Sequence, residues 1–400
     1  MRKLYGCLLV SVLMMMQVQA GPQEEQDSGY IQVENGKLYY ETAGQGEETL
    51  VFIHDGLVHS AVWDQQFPVF SETFRVVRYD RRGYGRSPKP ETAYSNVDDL
   101  DRVFTTLHIE KAILVGMSAG GGLTIDFTLA HPEKVSAFIV IGAVVSGFSY
   151  SEHLLTRGGR LSAADYADRE KLLHYLITED PYEIAPQNQS VKEKLRILME
   201  SFPQNIDLTK NNLLLPPERP AVEHLGEIRV PVLIVVGESD IPDVFVHAGA
   251  IESGCQNAQR VIVQNAGHLV PLEQPDRFNR LVLDFLNSTE FYHALDIQGA
   301  EEAARIFHEK RKGDPQWLPF TETRMNGLGY QALQSGKAEE AIELFKLNVL
   351  AYPESANTYD SLGEAYMVHG DIELAIENYR KSLELDPNNK NAEETLKRLK

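Results

Sequence analysis

Ala112-Ile113-Leu114-Val115-Gly116-Met117-Ser118-Ala119-Gly120 is the stretch on which the fold turns. Its first four residues read as a strand buried on both faces, and the glycine-rich run that follows opens a helix. A serine between glycines at a strand-to-helix junction fits the Gly-x-Ser-x-Gly pattern of a nucleophile on a very sharp turn. Neighbours without side chains would let its hydroxyl project clear of the sheet. Gly-rich turns of this kind also bind phosphate, so the pattern needs partners elsewhere before it means catalysis.

Outward from Ser118, short β-rich runs alternate with helical patterns, the order of a parallel sheet covered by helices. Tyr30–Val33 and Leu38–Glu41 flank the hairpin pair Asn35-Gly36; Leu50–His54, Phe74–Tyr79 and Ala137–Ile141 are further strands. From about Val144 to Glu227 the strand pattern gives way to helical, Tyr-rich and Pro-interrupted sequence, read as an inserted cap. Strands resume at Val232–Val236 and Arg260–Val263, and a helix from Asp276 to Leu286 closes a unit spanning residues 28–288.

A serine hydroxyl needs a base to take its proton and a third group to fix the base's tautomer. Gly237-Glu238-Ser239-Asp240 ends one late strand and Asn265-Ala266-Gly267-His268 follows the last one, both on the sheet edge that carries Ser118. Ser118 as nucleophile, His268 as base and Asp240 as acid follow in the order Ser, Asp, His. Asp243 is the alternative acid. Trp63 and the cap tyrosines Tyr150, Tyr166, Tyr175 and Tyr182 are candidates either for a substrate pocket or for packing. Arg81, Arg82 and Arg86 read as a structural loop with solvated charges rather than an anion site. No Cys or His cluster has zinc spacing, and no nucleotide-binding glycine motif occurs, so no metal and no cofactor are expected.

Residues 30 to 287 resemble the α/β-hydrolase superfamily, in its capped esterase, lactonase and carbon–carbon hydrolase branch. Five landmarks in order carry the resemblance: His54 with Gly56, the run Asp80-Arg81-Arg82-Gly83-Tyr84-Gly85-Arg86-Ser87, the Ser118 turn, the Asp240 loop and the His268 loop. It implies an α/β fold, a mostly parallel sheet with an inserted helical cap, and an oxyanion hole made by the backbone N–H groups of Ala119 and Gly56. One position departs from the pattern: Asp55 stands where the family usually has Gly. A carboxylate aimed at developing negative charge would oppose it, so Asp55 is expected to point away, with Gly56 and Leu57 both open as the second donor.

The remainder, residues 292–400, has a different logic. Gly329, Ala341, Phe345 and Pro353 recur as Gly363, Ala375, Tyr379 and Pro387, each pair 34 residues apart. This resembles tetratricopeptide repeats, with copies at about 322–355 and 356–389. Ala303, Phe307 and Pro315 repeat the second-helix spacing without a convincing first helix, and Asn391–Lys400 reads as a polar capping helix. Such an all-α unit suggests a protein or peptide partner and is expected to lean on the preceding domain.

At the other end, Arg2 and Lys3 precede an apolar run from Leu4 to Val18 and then Gln19 and Ala20, the layout of a secretory signal peptide at residues 1–20. The run is too short for a membrane span, and Cys7 lies too early for a lipid-attachment box, so a periplasmic or secreted protein is expected. Removing Arg2 and Lys3 from the 38 basic residues leaves 36 against 58 acidic, a net charge of −22, which disfavours nucleic acid and anionic lipid. Cys255 is then the sole cysteine, read as a buried, inert thiol. The combined expectation is an exported serine hydrolase acting on a small or medium acyl substrate such as an ester or lactone. The alternative is a catalytically idle hydrolase fold that serves as an adaptor through its repeats.

Overall fold

The structure is a computed structural model describing residues 27–151, 161–179, 184–207 and 212–399. The expected signal segment, Cys7 and Tyr182 lie outside the described residues.

Eight strands form one sheet in the order β1-β2-β4-β3-β5-β6-β7-β8. They are β1 (Asp27–Val33), β2 (Gly36–Ala43), β3 (Thr49–Ile53), β4 (Arg75–Tyr79), β5 (Ala112–Met117), β6 (Val135–Ile141), β7 (Val232–Gly237) and β8 (Ala258–Val263). β1 pairs antiparallel with β2 and β2 with β4; every pairing from β4 onward is parallel. Alternation along the central strands divides the core. Leu50, Phe52, Val115 and Ile139 pack on one face, while Val51, Ile53, Leu114 and Phe138 pack on the other. Each such side chain contributes about 1.5–3 kcal/mol by leaving water.

The strand order places the site. The chain leaves β3 for β4 on one side and returns to β5 on the other, so direction reverses between β3 and β5, and a crevice opens beyond their carboxyl ends. His54 to Gly56 follow β3 and Ser118 follows β5, so both border that crevice.

Between β6 and β7 the described residues carry the helices Ala163–Ala167, Arg169–His174 and Gln189–Ser201 and no strand of the sheet. Leu172, Leu176, Leu195 and Met199 of this insertion belong to the same apolar cluster as Leu269 and Val270. The insertion therefore packs on the rim that carries His268.

The helix expected to end at Leu286 runs unbroken from Pro275 to Gln298. Asn287-Ser288-Thr289 looks like a stop, but the hydroxyls of Ser288 and Thr289 donate to the carbonyls of Phe285 and Leu286, each at 2.7 Å, and stay inside the helix. The break comes at Gly299, with φ +93°. Phe278, Val282 and Phe285 on the first half of this helix are buried in the sheet domain, and Phe291, Ala294 and Leu295 on the second half in the tail. One rigid element thus belongs to both units.

That second half also supplies the first helix missing from the repeat pattern, pairing with Ala300–Gly313. Two further pairs follow, Glu322–Gln334 with Ala338–Ala351 and Ala356–His369 with Ile372–Leu385, and Lys390–Arg398 closes the stack. The 34-residue signature has a steric basis. A Cβ added to Gly329 would sit 2.5 Å from the buried ring of Phe345, and one on Gly363 would sit 3.2 Å from the ring of Tyr379. Glycine on one helix lets an aromatic from its partner lie against backbone.

Candidate active site

Ser118 joins β5 to the helix Ala119–Ala130 in a strained backbone conformation, φ 53° and ψ −116°. A non-glycine residue held there costs on the order of 1–3 kcal/mol and persists only where its surroundings impose it. Here the Ser118 N–H donates to the Ile141 carbonyl at 2.7 Å, and the Ser118 carbonyl accepts from Gly122 N–H at 2.9 Å. The flanking glycines act differently from the sequence expectation. A Cβ on Gly116 would strike the Thr124 hydroxyl, and one on Gly120 would strike the carbonyls of Ile53 and His54. They allow close packing of helix on strands more than they clear space around the hydroxyl.

His268 and Asp240 meet, as the sequence suggests. Nδ1 of His268 lies 3.0 and 2.9 Å from the two carboxylate oxygens of Asp240, and both side chains are buried. Ile241 N–H donates to Asp240 Oδ1 at 2.7 Å, which fixes the carboxylate. With Nδ1–H donating its hydrogen bond to Asp240, the basic lone pair of the imidazole is on Nε2. Asp243 is engaged elsewhere: it accepts from Ser151 N–H at 2.7 Å and from the Ser151 hydroxyl at 2.6 Å.

Gly142 connects this pair to the serine, and sequence reading missed it. It follows Ile141, the residue that holds the Ser118 N–H, and has φ +54°. A Cβ there would lie 2.7 Å from Cε1 and Nδ1 of His268 and 3.2 Å from Asp240 Oδ2. The imidazole thus rests on bare backbone one residue from the group that anchors Ser118. The available signal was a glycine closing a buried strand at the rim that carries Ser118. Glu273 lies five residues after His268. Its carboxylate accepts from Gly267 N–H at 2.6 Å, from Ala185 N–H at 2.9 Å and from the Asn188 amide at 2.6 Å. It ties the histidine loop to the insertion, and burial raises its pKa above the ordinary glutamate value.

The loop after β3 is equally pinned. Asp55 points away from the crevice, because its Oδ1 accepts from the N–H groups of Leu57 and Val58, each at 2.8 Å. Leu57 N–H is therefore spent. No protein acceptor among the described residues takes Gly56 N–H, and Ala119 N–H, in the first helical turn, has no intrahelical acceptor. The two residues are neighbours: a Cβ on Gly56 would lie 3.9 Å from that of Ala119. Two N–H groups without a protein acceptor thus lie close together at the start of the helix Ala119–Ala130.

Arg81 and Arg82 are buried rather than solvated. Arg82 makes a two-pronged bond to buried Asp99 at 2.7 and 2.8 Å, while Arg86 is half exposed beside Glu41. Trp63 is core, with its ring 5.1 Å from that of Phe52. Tyr150 and Tyr166 are exposed, and Tyr175 packs partly buried on the core. Burial pushes the Cys255 thiol up to about 11, which keeps it protonated and unreactive. Among the described residues no three His, Cys, Asp or Glu side chains converge as a metal would require. No helix among them is long and apolar enough to cross a membrane.

Residues 50–281 match the model of the alpha/beta hydrolase family. The chain belongs to that family. Residues 356–389 of this hydrolase also match the tetratricopeptide repeat. It is 30% identical over 273 residues to the carboxylesterase YbfK of Bacillus subtilis, an alignment covering 66% of this chain and 88% of the relative. It is also 30% identical over 290 residues to a 2-hydroxy-6-oxononadienedioate/2-hydroxy-6-oxononatrienedioate hydrolase of Paraburkholderia phymatum, covering 66% and 96%. The crystal structure of the Bacillus carboxylesterase aligns with a TM-score of 0.53 at 27% identity, over 66% of this chain and 92% of that one. An enol-lactonase from Burkholderia xenovorans shares the fold with a TM-score of 0.55 at 21% identity, over 64% and 99%.

Proposed function

We propose that this chain is an exported serine hydrolase that cleaves a small or medium acyl substrate, a carboxylic ester or lactone, through an acyl-enzyme on Ser118. The observation that carries the reading is the His268–Asp240 pair laid on Gly142, next to the residue that holds the Ser118 backbone. In this reading Ser118 Oγ attacks the acyl carbon as its proton passes to His268 Nε2. The carbonyl oxygen takes the negative charge in front of Gly56 and Ala119 N–H. The bond to the leaving group breaks as His268 returns the proton to it. Water, deprotonated by His268, then attacks the acyl-enzyme and frees the acid. The esterase relative supports this bond class. Export rests on the layout of residues 1–20, and the repeats support a second role in binding a protein or peptide partner.

The test is a panel of acyl esters of graded chain length, lactones and a 2-hydroxy-6-oxononadienedioate, assayed with purified protein and with Ser118→Ala as the blank. Turnover of an ester or lactone that disappears in the blank is the expected result. Turnover of the dienedioate alone would move the reading to carbon–carbon cleavage on the same residues. No Ser118-dependent turnover of any member would favour the idle adaptor.

A further inference from the structure

Arg81 lies behind the loop that follows β3 as a buried cation with no carboxylate to neutralise it. It is 4% exposed, and among the described residues it forms no ion pair. Its partners are the Asp55 carbonyl, 2.5 Å from a terminal guanidinium nitrogen, and the ring of Tyr84, whose centroid is 4.8 Å from Cζ. Its Nε is buried without an acceptor. The nearby carboxylates are turned to other work: Asp55 to Leu57 and Val58 N–H, Asp80 to the N–H groups of Ser60 and Arg86, and Asp99 to Arg82. Burying an unpaired charge is costly, which makes this one the exception among the arginines of its loop.

What the cation touches gives it a role. The Asp55 carbonyl and the Gly56 N–H are opposite ends of one planar peptide, so whatever holds the carbonyl aims the N–H. Two donors hold it, His54 Nδ1 at 2.8 Å and Arg81 at 2.5 Å. The tautomer of His54 is set because its Nε2 accepts from Arg81 N–H at 3.0 Å. The Tyr84 hydroxyl fixes the next peptide by donating to the Gly56 carbonyl at 3.1 Å. A cation on the carbonyl end also polarises the peptide and makes its N–H a stronger donor.

We propose that Arg81 is a positioning residue of the oxyanion site, orienting and polarising the Asp55–Gly56 peptide so that its N–H meets the negative charge of a tetrahedral intermediate. This rests on the serine hydrolase reading above. The charge it serves exists only after the nucleophile has attacked, so its effect falls on kcat and not on ground-state binding.

The experiment compares Arg81→Met and Arg81→Gln, both neutral, with Arg81→Lys, which keeps the charge. Each is assayed on the best ester of the panel and with a trifluoromethyl ketone of the same acyl group, which binds as an oxyanion. Both neutral variants should lose about 10- to 100-fold in kcat and a similar factor in ketone affinity, with KM within about threefold. Arg81→Lys should recover most of both losses, and Arg86→Met, from the same loop, should stay within about twofold of wild type. If Arg81→Met fails to fold, the glutamine variant, which keeps a polar group in the buried site, carries the test. A folded neutral variant with kcat and ketone affinity within threefold of wild type overturns the proposal, as does a loss that appears in KM alone. A wild-type protein without Ser118-dependent turnover would instead bring down the hydrolase reading and this inference with it.

Discussion

The rim of the sheet and the stack of helix pairs both bring together residues far apart in the chain, by opposite means. At the rim, Ser118 and Gly142 sit at positive φ, Asp240 and His268 are buried polar groups, and Arg81 is a buried unpaired cation. Apart from Gly142, which as a glycine takes positive φ at little cost, each is unfavourable alone and is tolerated because neighbouring groups hold it. In the tail, Gly329 against Phe345 and Gly363 against Tyr379 bury small against large with no strain, between helices adjacent in sequence. The contrast separates function from packing: residues at the rim should affect rate more than stability, and residues in the tail the reverse.

The largest effect is expected for Asp240→Asn. An amide cannot hold the His268 tautomer, so kcat should fall by about 10⁴-fold with the melting temperature little changed. Retention of a tenth of the activity would mean that the acid lies elsewhere. Gly142→Ala comes next, since the methyl group would press on the imidazole from 2.7 Å and the residue keeps φ +54°. Its kcat/KM should drop about 10- to 100-fold, with a loss of about 1–3 kcal/mol in denaturant unfolding. Full activity would show that the His268–Asp240 pair does not depend on this floor.

Asp126 tests whether the helix Ala119–Ala130 also carries a polar cost. It accepts from the Ser146 hydroxyl at 2.6 Å, and burial pushes its pKa from 3.8 up to about 6. The folded form holds this proton more tightly than the unfolded form, so the wild type should lose stability as pH rises from about 4 through about 6 and stay lower above that. Asp126→Asn should therefore be the more stable by about 1–2 kcal/mol at pH near 7.5, and the gain should vanish near pH 4. Denaturation midpoints at the two pH values check it; an equal difference at both would refute the assignment. In the tail, Gly329→Ala should cost about 1 kcal/mol, because the clash with Phe345 outweighs the gain in helix propensity, and Gly363→Ala should be neutral or slightly stabilising. Neither should alter kcat/KM. A loss of activity in Gly329→Ala with the fold intact would break the separation between rim and tail.

The strands, the Ser118 turn and the Asp240 and His268 loops could be read from the sequence because each combines an apolar run with a turn signal at its end. The last two repeats could be read because their helices contact near neighbours at a fixed period. What escaped depended on contacts between distant segments. Ser288 and Thr289 look like a helix stop until their hydroxyls are seen bonded within the helix, so the element shared by both units was cut short. Arg81 and Arg82 look like solvated charges until Asp99 and the Asp55 carbonyl are found around them. Gly142 has no local motif; its requirement comes from an imidazole more than a hundred residues downstream.

The central claim is that Ser118 is an activated nucleophile, and covalent capture tests it most directly. The purified protein is treated with a fluorophosphonate, digested, and its peptides are weighed. One adduct on the peptide containing Ser118, absent in Ser118→Ala and formed far more slowly in His268→Ala, is the result this account predicts. Folded protein that takes up no label, or takes it up on another residue, would contradict it.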